Sequence, residues 1–147
     1  MNRYTKLDAT GAALPDDATD WTAVRDNHLV LIDGEHRHLV WDRHESAERH
    51  THKDAIAAAA AVTAGGWTDW RLPTIDELAG LADRSRYNPA IDTRYFATNG
   101  TWCWSSTDDA SDPAYAWSVT FRYGSVYYLH RDYGGFVRAV RSVPPSQ

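Results

Sequence analysis

Cysteine is almost missing: Cys103 is the single one in 147 residues. An intramolecular disulfide is thereby excluded, and the fold must hold without oxidation. Long apolar runs are missing as well. The longest, Ala55 to Val62, is mostly alanine, far short of the ~18 apolar residues a spanning helix needs, so no membrane insertion is expected. The opening Met1-Asn2-Arg3-Tyr4-Thr5-Lys6-Leu7-Asp8 has no apolar core and no small-residue cleavage site. That predicts a soluble chain made without its own secretion signal, either cytoplasmic or carried out on a phage particle or similar assembly. Basic excess is absent too: 15 Lys and Arg stand against 20 Asp and Glu, a net charge of −5. A partner read through phosphate neutralisation is therefore not expected, and nucleic acid is excluded. No G-x-S-x-G elbow, P-loop, G-x-G-x-x-G or H-E-x-x-H occurs, so nothing demands an enzyme or a cofactor.

What is present is ordinary globular composition, 43% hydrophobic and 24% charged, in a length suited to one domain over residues 1–147. Folding a chain of this size buries roughly 70% of its surface, enough for a core without staples. Seven Trp and eight Tyr against three Phe favour aromatic rings with one polar end kept wet, as at binding surfaces.

Few apolar anchors mark Asn2 to Asn27, where Leu14, Trp21 and Val24 are the candidates. Asp33-Gly34 between His28–Ile32 and Arg37–Trp41 predicts a hairpin. The charged stretch Asp42 to His52 reads as a solvated connection. Thr51 with Asp54 predicts the start of a helix running Lys53 to Ala64, ended by Gly65-Gly66. Its small face points to close packing on a sheet. Thr74-Ile75-Asp76-Glu77 is a full capping box, opening a second helix toward Asp83 with Ile75, Leu78, Leu81 and Ala82 on one face. Asn88-Pro89 marks a turn. Strands are predicted at Thr101–Ser106, Ala114–Phe121, Val126–Asp132 and Phe136–Val143. Ala114–Phe121 alternates Tyr115, Trp117, Val119 and Phe121 against smaller residues. Two early helices and a late antiparallel meander make an α+β domain.

Six of the seven His lie between His28 and His52, and imidazole suits zinc, copper or nickel. The Cys or carboxylate spacing of known sites is absent, so no metal site is predicted. Cys103, between Trp102 and Trp104, reads as a small buried hydrophobe. In Trp67-Thr68-Asp69-Trp70-Arg71-Leu72-Pro73, Trp70 is expected in the core, with Arg71 or Asp69 bonding local backbone. The candidate ligand-binding residues are Arg122, Tyr123, Tyr127, His130, Arg131, Asp132 and Tyr133, bordered by Asp108, Asp109 and Asp112. Tyr, Arg and Asp on loops of a rigid scaffold have the composition of a paratope. The same residues would also make an ordinary polar surface, and composition does not choose. Period-2 geometry, with Val126 and Tyr128 packed inward, would turn Tyr127 outward.

Arg3-Tyr4-Thr5-Lys6-Leu7-Asp8, Trp21-Thr22-Ala23-Val24-Arg25-Asp26-Asn27, Leu39-Val40-Trp41 and Gly66-Trp67-Thr68-Asp69-Trp70-Arg71-Leu72-Pro73-Thr74 follow one another in order. Asn88-Pro89-Ala90-Ile91-Asp92, Trp104-Ser105-Ser106-Thr107, Ala116-Trp117 and Val137-Arg138-Ala139-Val140-Arg141 come after them. In these blocks the chain resembles the bacterial Lcl C-terminal-type domain. The resemblance implies a C-type-lectin-like fold: two helices packed on a twisted antiparallel sheet, with the N- and C-terminal strands paired. It also implies a non-enzymatic, adhesin-like domain that binds a protein or glycan, with a homo-oligomer as a further expectation. Similar domains are variable proteins of diversity-generating retroelements or receptor-binding tips of phage. Cysteines found in many relatives are replaced by Ala23 and Ala139, and the calcium signatures of true C-type lectins do not appear. The alternatives are a formylglycine-generating-like enzyme, which needs more reactive Cys than this chain has, and a phage-encoded inhibitor of a host protein.

Overall fold

The computed structural model describes residues 2–145; Met1 and the last two residues of the predicted single-domain span lie outside them. The described residues are α+β and mostly antiparallel, as predicted, but the strands form two sheets where one was expected. The first sheet holds β1 (Tyr4–Leu7), β2 (Ala23–Ile32), β3 (Glu35–Asp42) and β7 (Val140–Val143), in the order β1-β2-β3-β7. The second holds β4 (Trp102–Asp108), β5 (Tyr115–Thr120) and β6 (Ser125–His130), in that order.

The hairpin forms where Asp-Gly predicts it. Asp33 and Gly34 have φ of 50° and 81°, the double positive-φ turn that matches strand twist. Its strands are longer than the apolar runs suggest, because the first half of β2 also pairs with β1, Tyr4 opposite Asp26 and Leu7 opposite Ala23. The terminal strands do not pair with each other. β1 sits on β2 and β7 on β3, at opposite edges of the sheet, and the outer side of β7 is taken by Arg71, which exchanges two 2.9 Å backbone bonds with Val140. The strand predicted from Phe136 is shorter for a similar reason. Phe136 bonds the backbone of Trp102 and Trp104 instead, so the segment before β7 covers the β4 side of the second sheet and leaves β6 at its free edge.

Helix α1 (His52–Ala60) starts at the predicted Thr51 cap and stops about a turn early. The chain then tightens into a 3-10 turn at Ala64–Gly66, with the Ala64 carbonyl held by Trp70 Nε1 at 3.1 Å. Helix α2 (Ile75–Ala79) carries the complete Thr74–Glu77 capping box and ends at Gly80. The Asn88-Pro89 turn contains a cis peptide bond.

Two buried clusters hold the layers together. One joins Val24, Trp41 and Val140 of the first sheet to Leu78 and Leu81 around α2 and to Cys103, Val119 and Phe121 of the second. The other joins Val40 and Leu7 to Ala55 and Ala59 of α1, Trp70, and Trp104, Ala116 and Leu129. Each sheet therefore feeds both clusters, and the second sheet lies between α2 on one face and α1 on the other. The small face of α1 is the expected fit: Ala55 and Ala59 are fully buried, and the helix packs on β4.

The stretch 42–52 is not simply a solvated connection. Glu45 and His52 turn inward from it. Arg138 is fully buried, donating to Glu45 at 3.1 Å, to the carbonyls of Asp42 and Arg43 at 2.8 Å each, and to that of Ala97. Glu45 also accepts from Thr98 Oγ1 at 2.7 Å and from the Asn99 backbone at 2.8 Å. This buried pair ties two loops, 42–45 and 97–99, to the segment before β7. Its charges are tolerable because nearly every polar atom has a partner.

Candidate functional site

Alternation along β5 and β6 places two kinds of surface on the second sheet. Tyr115, Trp117 and Val119 stand on the same face as His130, Tyr128 and Val126, their cross-strand partners. Val119 and Phe121, at one end of that face, lie under α2. No such cover reaches the other end, where Tyr115, Trp117 and Tyr128 line an open cleft of about 520 Å³ with Asp109, Ser111 and Asp112. Tyr115 and Tyr128 are 5.4 Å apart at 81°, and Trp117 and Tyr128 6.1 Å apart at 89°. These are edge-to-face pairs, the arrangement the ring quadrupole favours.

The expectation that Val126 and Tyr128 pack inward does not hold: they are 39% and 50% exposed. β6 is an edge strand, so side chains of both faces reach solvent along its open side. Tyr127 is exposed as predicted, but it stacks on Tyr128 (5.5 Å, 24°) around that edge and meets Trp102 at 5.6 Å.

The ten sequence-predicted residues fall into two groups. Arg122 and Tyr123 lie on the β5–β6 turn, held against the loop before β4 by bonds from Asn88 N to Arg122 O and from Arg84 to Gly124 O. Tyr123 faces Tyr87 there, at 6.0 Å. Asp108, Asp109, Asp112, His130, Arg131, Asp132 and Tyr133 gather at the opposite end of the hairpin. Six residues of β6 at about 3.3 Å each put roughly 17–20 Å between the groups. Tyr127 lies between them.

Arg131 organises the second group. Its guanidinium donates to Asp108 at 2.7 Å, to the Pro113 carbonyl at 2.7 Å and to His52 Nδ1 at 2.8 Å. Since guanidinium can only donate, His52 Nδ1 must accept; its Nε2–H then donates to the Ser105 carbonyl at 2.9 Å. His52 is therefore a neutral imidazole of one tautomer. Burial holds its pKa below the ordinary value, Arg131 pushes the same way, and the Ser105 bond and Asp108 oppose. The loop beyond is shaped by its own carboxylates. Asp109 accepts from Ser111 N at 2.9 Å and Oγ at 2.7 Å, and Asp112 from Ala114 N at 3.0 Å; the Ser111 bonds hold the Asp109 pKa below the usual range. Asp132 N donates to His130 Nδ1 at 3.1 Å, and Tyr133 closes the turn 62% exposed.

Sequence reasoning missed Trp102, Tyr115, Trp117, Tyr128 and His52 as parts of this surface. The strand alternation carried the signal for Tyr115 and Trp117, yet nothing local tells which half of a strand face a helix will cover. In the Trp67–Glu77 block, Trp70, Leu72 and Pro73 are buried, while Thr68, Asp69, Thr74 and Asp76 stay exposed. Its charged residues bond side chains more than local backbone: Arg71 grips Glu77 at 2.7 and 2.8 Å, and Asp69 takes Arg141 at 2.6 Å.

Among the histidines, His38 Nδ1 lies 2.9 Å from the Asp26 carbonyl. No group of three or more potential metal ligands converges among the described residues. Cys103 is buried, its thiol 3.4 Å from Glu45 and its pKa pushed up by burial and by that carboxylate. A larger cleft, about 760 Å³, opens between the β2–β3 tip and α1, but the Arg71 and Glu77 charges at its mouth are engaged with each other.

The family profile of the Lcl C-terminal domain matches residues 31–141, from the tip of the hairpin to β7. No curated protein matches the chain. The profile covers well over half of the sequence and takes in both helices, the whole second sheet and the buried Arg138, and the chain therefore belongs to the Lcl C-terminal domain family.

Proposed function

We propose that this domain is a non-enzymatic recognition module that presents the β6 edge and its flanking loops to a protein or glycan. The observation that carries the reading is the run of Tyr123, Tyr127, Tyr128 and Tyr133, each at least half exposed, along and beside one strand of a scaffold held by two buried clusters. Tyr offers broad contact area at low entropic cost, and exposed aromatic surface on one rigid edge favours association. Cys103, buried and held as a thiol, is poorly placed for nucleophilic chemistry, which favours this reading over a formylglycine-generating-like enzyme. We read the α+β arrangement more finely as C-type-lectin-like, consistent with a variable, adhesin-like or phage-borne binding role; family membership supports this.

The test is binding to a glycan array and to displayed protein libraries by the wild type, Tyr127→Ala and Tyr133→Ala. A ligand held by the wild type is expected to lose at least ~1 kcal/mol of affinity in either variant, the scale of an interface anchor. Undiminished binding by both variants would move the site off this edge.

A further inference from the structure

Resting on the recognition reading, we infer that the cleft between β5, β6 and the loop after β4 is a subsite for an organic cation, a lysine or arginine side chain of a protein partner. Three rings line it, with Tyr128 perpendicular to both Tyr115 and Trp117. Rings set at right angles form adjoining walls of a box, and the negative face of an aromatic ring attracts ammonium and guanidinium groups. The remaining wall is acidic. Asp109 and Asp112 line the same cleft, and each uses one carboxylate oxygen, Oδ1, to hold its own loop.

The neighbouring cation does not neutralise them. Arg131 is committed to Asp108, the Pro113 carbonyl and His52. The cleft thus combines aromatic faces, two carboxylates without a cationic partner among the described residues, and a chain of net charge −5. A sulfate or uronate would meet this wall with like charge. A neutral sugar would satisfy the rings and leave the carboxylates unanswered. A basic side chain answers both, its methylene stem lying on the rings and its charged end at the Asp pair.

The experiment follows the Trp117 indole N–H by NMR, assigned with Trp117→Phe, while Nα-acetyl-lysine methylamide, its arginine counterpart or the neutral norleucine analogue is added. The cationic amides should shift this signal and bind more tightly than norleucine, by a margin that narrows as salt is raised. Tyr128→Leu and Asp112→Asn should each weaken lysine binding roughly two- to fivefold, the size of one exposed cation–π contact or surface ion pair. Equal binding of norleucine, or variants that bind lysine like the wild type, would overturn the inference. An unshifted Trp117 beside a ligand still lost in Tyr127→Ala would overturn the cation subsite and leave the recognition reading standing. Lysine binding in a protein whose Tyr127 and Tyr133 variants keep their ligand would do the reverse.

Discussion

Two aromatic regions of this chain share a composition and differ in fate. Around Trp67 and Trp70, neighbours within the fold take up the rings and charges: Trp70 Nε1 bonds Ala64, Arg141 lies over the Trp67 ring at 4.4 Å, and Arg71 grips the capping Glu77. Along β5 and β6, Tyr115, Trp117, Tyr127 and Tyr128 contact one another, Tyr127 and Tyr128 half exposed and Tyr115 and Trp117 partly so. The difference lies in cover. The first region is closed by both sheets and α1; the second lies on the half of a sheet that α2 does not reach and on a strand with no outer neighbour.

Mutations that cut the covered region should therefore unfold the domain, and those on the open one should not. The largest loss is expected for Trp70→Ala, which empties a core site and should lower unfolding free energy by about 3–5 kcal/mol in denaturant titration. An unchanged midpoint would break the comparison. Glu45→Ala should come close, about 3–5 kcal/mol, because it strands the buried Arg138 charge. If instead it unfolds like the wild type, the buried pair is not what ties the loops.

A smaller effect should come from the junction of the two regions, at His52. Its pKa is depressed in the folded protein, so the unfolded chain takes up a proton first as pH falls. Stability should be full above the unfolded value of about 6.5. It should then decline as pH drops toward the folded pKa, and His52 should add no further slope below that. Thermal melts across this window should show the slope in the wild type and its loss in His52→Gln. A slope surviving in His52→Gln would assign it to another group. The carboxylates of Asp69, Glu77 and Asp92, also depressed in the fold, act at lower pH, where protonation removes their bonds to Arg141, Arg71 and Arg94. Smallest of all, Tyr127→Ala and Tyr133→Ala should change stability by about 0.5 kcal/mol or less. A loss near that of Trp70→Ala would mean the open edge is part of the core.

Features set by a few neighbouring residues were legible beforehand. Asp33-Gly34 specifies its hairpin because both positions need positive φ, and Thr74 with Glu77 specifies a helix start because their side chains answer backbone donors three residues away. Burial of Cys103 between two tryptophans and of Trp70 before Pro73 was readable for the same reason. Outside that range stood the division into two sheets, the separation of the terminal strands, the turn of Glu45 and His52 into the interior, and the side of β5 and β6 left bare. Each depends on which distant segment arrives: Arg71 on the edge of β7, Phe136 beside β4, Arg138 beneath the 42–46 loop. A strand's alternation sorts its side chains into two faces. Whether a face becomes core or binding surface is decided by the element that packs over it, and here that element, α2, covers half.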